Sequence, residues 1–387
     1  MSIRIAQVVE ATAGGVARHV IDLVTHLDPA EFTCVLYLSF ERTESWRAEL
    51  SALCERGCVL REIPMTRIPD SRAVSQLAGW AKRDAVDLLH LHSAKAGYLG
   101  RLAAQAAELP AIYTPHAFPF QRTTDAFRAL YRIIERRMAA HTARIICVSD
   151  GERREALHAG LPPAKLTVIP NGLDLSRWQP PTRLARREAR QTLRIADDEV
   201  VIGAMARLVP QKGIDLLVQA CEDLLPDFPR ARILIWGDGP QRKMLRSMAR
   251  RMRLPQIQFM GETRDPLSAY AVMDVYCAPS RWEGCPYALL EAMACALPVV
   301  ASDIPGHTDF ITEGQNGVLC ESDLPGPLAG ALRITLADED IRDAFGAAAL
   351  QQVAGFPLER MVRKTAALYH QVLKENVPPA GTVSNRA

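Results

Sequence analysis

No run of apolar residues in this chain approaches the roughly 20 needed to cross a bilayer. A membrane-spanning helix is therefore not expected. Net charge is scarce as well. The 46 Lys and Arg residues against 44 Asp and Glu leave only +2, so the overall field of a nucleic-acid binder is missing. The first strand begins at Ile3, which leaves no room for a signal peptide, and the expectation is a cytoplasmic chain. Cysteine lacks a pattern. There are nine, an odd number, and most lie inside apolar runs, as Cys34, Cys147, Cys277 and Cys320 do. These read as reduced, core-filling thiols. Cys54 and Cys58 have no second Cys/His pair to complete a zinc set, so no metal site is expected. The dinucleotide fingerprint G-x-G-x-x-G is also missing.

What is present points to an α/β protein. At 387 residues the chain exceeds one ordinary core, which predicts two domains. Strand Ile3–Val9, the turn carrying Gly14-Gly15 and an amphipathic helix open a doubly wound domain. Those glycines let a backbone approach a ligand, or they simply make a turn. We expect a first Rossmann-like domain over residues 1–175 and a second over 176–355. Residues 356–387 should supply a closing helix and a frayed tail, and the turn-rich stretch 170–181 reads as the hinge.

Ligands in such sheets sit at the carboxyl ends of strands. That rule picks out His92, Ser93 and Lys95 after the fourth strand and His116 after the fifth. Helix capping by Ser93 and a solvated Lys95 remain equally good readings. Residues 121–144 read as one long helix with an apolar stripe of Phe127, Leu130, Tyr131, Ile134 and Met138. Beside the stripe runs a ridge of Arg128, Arg132 and Arg136. The ridge is an ordinary solvated face or a surface that approaches anionic lipid head groups or an acceptor phosphate.

The second half repeats the rhythm. Arg207 and Lys212 flank a turn that opens a helix at a strand's carboxyl end, a natural place for phosphate. Gly237 lies in the tight turn GDGP, and Gly261 leaves a strand end bare enough to lie along a flat base. In the stretch 281–300, RWEGCPYALLEAMACALPVV, Glu283 and Glu291 stand in an otherwise apolar context. Burying a carboxylate unpaired is costly. Glu291 therefore points outward or meets a polar partner from elsewhere, such as a ligand. Pro286 suits the first helical position. A diphosphate between two hydroxylated groups fits this set: cations for the phosphates, carboxylates for vicinal hydroxyls. The acidic triplet Asp338-Glu339-Asp340 reads as a helix N-cap rather than a metal-binding D-x-D.

The ordered set Gly203-x3-Arg207-Leu208-Val209-Pro210-Gln211-Lys212-Gly213, then Gly237-Asp238-Gly239-Pro240, then Pro279-Ser280-x2-Glu283-Gly284-x6-Glu291-Ala292-Met293-Ala294 resembles the retaining glycosyltransferases of family 4, of GT-B fold. The resemblance covers nearly the whole chain. It implies two Rossmann-like domains facing a central cleft and a UDP- or GDP-sugar donor, with no metal or other cofactor required. Arg207 and Lys212 would hold the donor diphosphate, Glu291 the ribose hydroxyls and Glu283 the donor sugar. The backbone of Gly284, Cys285, Pro286 and Tyr287 would cradle sugar and phosphate. Gly14 and Gly15 would approach the phosphates from the first domain, and His116 would contact the transferred sugar. His116, Glu283, Arg207 and Lys212 are thereby the catalytic candidates. His92, Lys95, Arg128 and Arg132 are candidates for the acceptor or membrane side.

Residues 92–100 (HSAKAGYLG) and 114–118 (TPHAF) look most like members that build bacterial surface polysaccharides on lipid-linked acceptors. Partners implied are thus a nucleotide sugar, a lipid-linked or saccharide acceptor and an anionic membrane surface. Ala117 departs from the pattern, since glycine commonly follows the family's histidine. Rival readings are a nucleotide-sugar epimerase of GT-B fold and a non-catalytic nucleotide-sugar binding protein.

Overall fold

The strands of both halves are short and largely apolar, and most are buried on both faces, as parallel strands covered by helices must be. The structure, a computed structural model, describes residues 2–10, 14–40, 47–55, 57–65, 70–121 and 125–376. The turn residues 11–13, residues 122–124 of the helix expected over 121–144, and the tail beyond 376 lie outside the described residues.

The chain divides into two compact units. One holds residues 1–148, 152–170 and 359–387; the other holds 149–151 and 171–358. In the first unit the strands are β1 (Ile3–Val9), β2 (Phe32–Leu38), β3 (Val59–Glu62), β4 (Leu88–His92), β5 (Ala111–Thr114), β6 (Arg144–Cys147) and β7 (Leu166–Val168). They form one parallel sheet in the order β3-β2-β1-β4-β5-β6-β7. In the second unit β8 (Val200–Met205), β9 (Ala231–Trp236), β10 (Ile257–Gly261), β11 (Val275–Ala278), β12 (Val299–Ser302) and β13 (Gly317–Cys320) are ordered β10-β9-β8-β11-β12-β13, again all parallel. Strand order therefore reverses between β1 and β4 in one unit and between β8 and β11 in the other. These two switch points are where such sheets bind ligands.

The C-terminal helix Leu358–Glu375 packs with the first unit over residues 359–376. Its Tyr369 is fully buried edge-on to Phe32, and Arg144 pairs with Glu375. Asp338 caps the helix Glu339–Val353 by accepting from the Asp340 amide at 2.9 Å.

The single long helix expected over 121–144 is corrected. A 3-10 turn at Pro119–Gln121 precedes an α-helix Asp125–Met138, and a second 3-10 turn follows at Ala139–His141. Of the expected apolar stripe, only its C-terminal end turns inward: Met138 is buried and Ile134 half-buried, whereas Phe127, Leu130 and Tyr131 are exposed. Phe127 is 58% exposed, and Ile133 is exposed as well. What this helix buries is Met138 and a carboxylate, Glu135. Glu135 takes two hydrogen bonds from the fully buried Arg101, at 2.9 and 3.1 Å, and that guanidinium lies 4.3 Å from the Tyr113 ring. Removing one partner of such a pair costs about 3–5 kcal/mol. The helix is thus pinned at its C-terminal half by an ion pair and Met138, and leaves Phe127, Leu130, Tyr131 and Ile133 to solvent.

Candidate active site

In the second unit, the chain leaves β8, passes Arg207 on the surface and makes a 3-10 turn, Pro210–Lys212. Gly213 follows with φ +61, and a Cβ there would stand 1.9 Å from the Pro279 carbonyl oxygen. The bare backbone lets the turn close against the end of β11, across the switch point. That approach brings Lys212 Nζ to 2.5 Å from Glu283 Oε1. Ser280 Oγ donates to the same oxygen at 2.8 Å, and Gln211 Nε2 approaches Oε2 at 3.4 Å. Glu283 is only 6% exposed.

Arg281 locks the two segments together. It donates to Pro210 O and to both carboxylate oxygens of Asp215, and its amide donates to Gln211 O. The Asp215 carboxylate, with Asp323 beside it, holds the Arg281 pKa above the ordinary arginine value. The turn at Gly237 packs against the same loop. A Cβ at Gly237 would sit 2.0 Å from Ala206 O, and Asp238 O accepts from the Leu208 amide at 2.8 Å. Gly237 N in turn donates to Gly261 O at 2.7 Å, so both predicted glycines lie at the carboxyl end of the sheet beside Arg207's loop.

The helix carrying Glu291 is shorter than expected, Tyr287–Ala294, and Pro286 is its N-cap rather than its first helical residue. Glu283 therefore lies in the preceding loop, and the two glutamates are not joined by continuous helix. Gly284, Cys285 and Tyr287 are buried, and Asn171 Nδ2 donates to Cys285 O at 2.7 Å. The puzzle of Glu291 has a specific answer. It is buried, and Tyr270 Oη donates to its Oε2 at 2.9 Å. Burial and the adjacent carboxylate push the Tyr270 hydroxyl pKa well up, so it stays a donor.

One residue of this region escaped the sequence reading. His307 is fully buried, and its Nδ1 donates to Ser302 O at 3.0 Å. It lines a small cavity with Lys212, Tyr276, Ser280 and Glu283. Burial, the largest cause, lowers its pKa, so the ring is neutral. The signal was the polar residue after the Pro305-Gly306 turn at the end of β12.

In the first unit Gly14 and Gly15 open the helix Gly14–His26 and are exposed at the end of β1. Lys95 is half-buried, with Nζ 3.1 Å from Met65 O and 3.5 Å from Glu10. Ser93 is corrected: it takes φ +68 and makes no capping bond. His92 is corrected too. It is fully buried and meets Gln7 at 2.8 Å and His116 at 3.2 Å, so it has no exposed edge to offer an acceptor. His116 is half-buried with φ +52, and Ala117 follows at φ +76. Such φ values favour glycine, and Glu152 holds the strained turn by accepting from Ala117 N at 2.6 Å. Arg128 and Arg132 lie half-buried on the helix Asp125–Met138, where Arg132 faces the Phe120 ring.

His19, His92 and His116 bring three ring nitrogens within 4.8 Å of one another. No single Cys/His spacing signalled this trio.

Two family models match the chain in succession. Residues 13–177 match Glycosyltransferase Family 4, and residues 185–352 match Glycosyl transferases group 1. A D-inositol 3-phosphate glycosyltransferase of Actinosynnema mirum is 31% identical over 316 residues, 75% of this chain and 74% of that one. The chain belongs to the group 1, family 4 glycosyltransferases. The UDP-Gal:alpha-D-GlcNAc-diphosphoundecaprenol alpha-1,3-galactosyltransferase of Escherichia coli is 28% identical to this glycosyltransferase over 311 residues, covering 78% of this chain and 80% of that one. The crystal structure of Anabaena Alr3699/HepE with UDP and glucose superposes with a TM-score of 0.82 at 21% identity, covering 95% of this chain and all of that one. That likeness establishes the GT-B fold. The glycosyltransferase has no helix among its described residues that is long and apolar enough to cross a membrane.

Proposed function

We propose that this glycosyltransferase moves a sugar from a nucleoside diphosphate sugar to a lipid-linked saccharide, with retention of anomeric configuration and without a metal. The observation that carries the donor half is the Lys212–Glu283 pair at the β8/β11 switch point. It sets a cation for phosphate beside a carboxylate for sugar hydroxyls, both held by Ser280, Gln211 and Arg281 before any ligand arrives. Arg207 and Lys212 supply positive charge where the departing diphosphate gains negative charge, the role a metal fills elsewhere. Glu291, steadied by Tyr270, accepts from the ribose hydroxyls. His116 meets the transferred sugar. The leaving phosphate takes the acceptor hydroxyl's proton on the face it departs from, which preserves the configuration.

The acceptor half is supported by the Escherichia coli relative, whose name specifies a sugar on a diphosphoundecaprenol. The helix Asp125–Met138 adds to it. Exposed Phe127, Leu130, Tyr131 and Ile133 stand among Arg128, Arg132, Arg136 and Arg137. Apolar residues entering an interface with cations alongside are what an anionic lipid surface binds. The enzyme acts there as a peripheral protein. The test is a transfer reaction in excess EDTA with an undecaprenyl-diphosphate sugar acceptor and a UDP- or GDP-sugar. Proton NMR of the product should show the donor's anomeric configuration. An inverted product, or transfer only after divalent metal is restored, contradicts the reading.

A further inference from the structure

Protons in the first unit's buried polar cluster follow from the order of its donors and acceptors. Gln7 is fully buried, and its Nε2 donates to Tyr369 Oη at 3.1 Å. Its Oε1, an acceptor only, faces His92 Nε2 at 2.8 Å. His92 therefore carries its proton on Nε2 and offers a lone pair at Nδ1. That lone pair lies 3.2 Å from His116 Nε2, which must donate. In the other direction, Tyr369 Oη accepts from Gln7 and gives its own proton to His90 Nδ1 at 2.7 Å. His90 Nε2–H then meets Thr114 Oγ1 at 2.8 Å. Each contact has one donor and one acceptor, and donation runs in one sense from His116 through His92, Gln7, Tyr369 of the C-terminal helix and His90 to Thr114. Burial, followed by the neighbouring imidazoles, holds His90 and His92 well below the ordinary histidine value, so both rings are neutral links.

We infer that His92 is a positioning residue: backed by Gln7 and Tyr369, it fixes the ring orientation and tautomer of His116, so that His116 keeps its proton on Nε2 and its lone pair on Nδ1. The inference rests on the proposed contact between His116 and the transferred sugar. It gives that contact a polarity, because His116 meets a sugar hydroxyl as an acceptor. It also explains why a fully buried histidine stands at the carboxyl end of β4, and why the His116 backbone persists at φ +52. Strained residues of this kind hold only where their surroundings over-determine them.

Three measurements test it. Selective 15N-histidine labelling of the wild-type protein reads the tautomers directly; His92 and His116 should both be protonated on Nε2. A proton on His92 Nδ1 overturns the inference, and this readout needs no variant to fold. Second, His92→Asn places an amide near the former Nδ1 and keeps a partner for His116, whereas His92→Gln reaches toward Gln7 and abandons it. His92→Gln should lower kcat about 10- to 100-fold, the usual cost of a misplaced group, with His92→Asn recovering most of it. The donor KM should move less than about threefold in both, because the loss lies in the transition state. Equal kcat in the two variants refutes the positioning role. Third, His116→Ala separates the inference from the reading beneath it. If His116→Ala keeps wild-type kcat while the tautomers are as stated, the sugar contact is wrong and the hydrogen-bond chain is structural.

Discussion

Replacing Lys212 by alanine should cost the second unit far more than the loss of a surface lysine. The Lys212 side chain is 24% exposed and Glu283 is 7% exposed by side chain, so the pair is largely desolvated. Breaking a buried pair by removing one partner costs about 3–5 kcal/mol. Ser280 and Gln211 still donate to Glu283, which places the expected loss at the lower end, about 3 kcal/mol. For a unit of this size that is a fall of about 6–12 °C in its unfolding transition, read by calorimetry. The double variant Lys212→Ala/Glu283→Gln removes the stranded charge and should recover at least half of the loss. Activity should behave differently. A hydrogen bond to a charged group contributes about 1.5–3 kcal/mol, so donor affinity should drop roughly 10- to 100-fold in the single variant. Recovery of the fold in the double variant should not restore it. If Lys212→Ala shifts the transition by less than about 2 °C, under 1 kcal/mol, the pair is an ordinary exposed one and the reasoning fails. Additive losses in the double variant would refute the coupling.

Other consequences follow from the same geometry. His90 and His92 stay neutral in the folded first unit while their unfolded value is 6.5, so the unfolded chain binds more protons as pH falls below that value. Stability of that unit should decline by about 1.4 kcal/mol per pH unit for each group between roughly pH 6 and 5, and thermal melts at pH 7.5, 6 and 5 with no shift would contradict this. Glu291→Ala should weaken donor binding with the fold intact, and Tyr270→Phe should do so less; titration calorimetry giving wild-type affinity for Glu291→Ala would remove it from the donor site. Reversing Arg128 and Arg132 to glutamate, or replacing Phe127 and Leu130 by serine, should reduce binding to anionic liposomes by about 1 kcal/mol per charge, and cosedimentation unchanged in both variants would exclude the helix Asp125–Met138 as the membrane face.

The features that were legible in the sequence are local ones. Strand, turn and helix alternate within about 30 residues, and each turn carries its own residues: Gly14-Gly15 after β1, Arg207 to Gly213 after β8, Gly237 after β9. A carboxylate in an apolar stretch announces that it needs a partner, and Glu283 and Glu291 are both buried. The partners themselves were not legible, because they come from other elements. Tyr270 lies 21 residues before Glu291 on another helix, and Tyr369 lies 362 residues after Gln7. His92 looked like a ligand contact because its position in the strand is right, but depth within the sheet decides exposure and the sequence does not carry depth. The helix Asp125–Met138 failed for a related reason. Its periodicity is the same whether the apolar face meets a core or a lipid surface. The Arg101–Glu135 pair, made across 34 residues, and the buried Met138 show which side turns inward.

The central claim is that this chain spends a nucleotide sugar, and release of nucleoside diphosphate measures it most directly. Pure protein should be offered the common UDP- and GDP-sugars one at a time, with and without an undecaprenyl-diphosphate saccharide. The account predicts release from one donor that rises sharply when the acceptor is present and falls to background in Glu283→Gln. No nucleoside diphosphate from any donor with acceptor supplied, or release unchanged in Glu283→Gln, would contradict it.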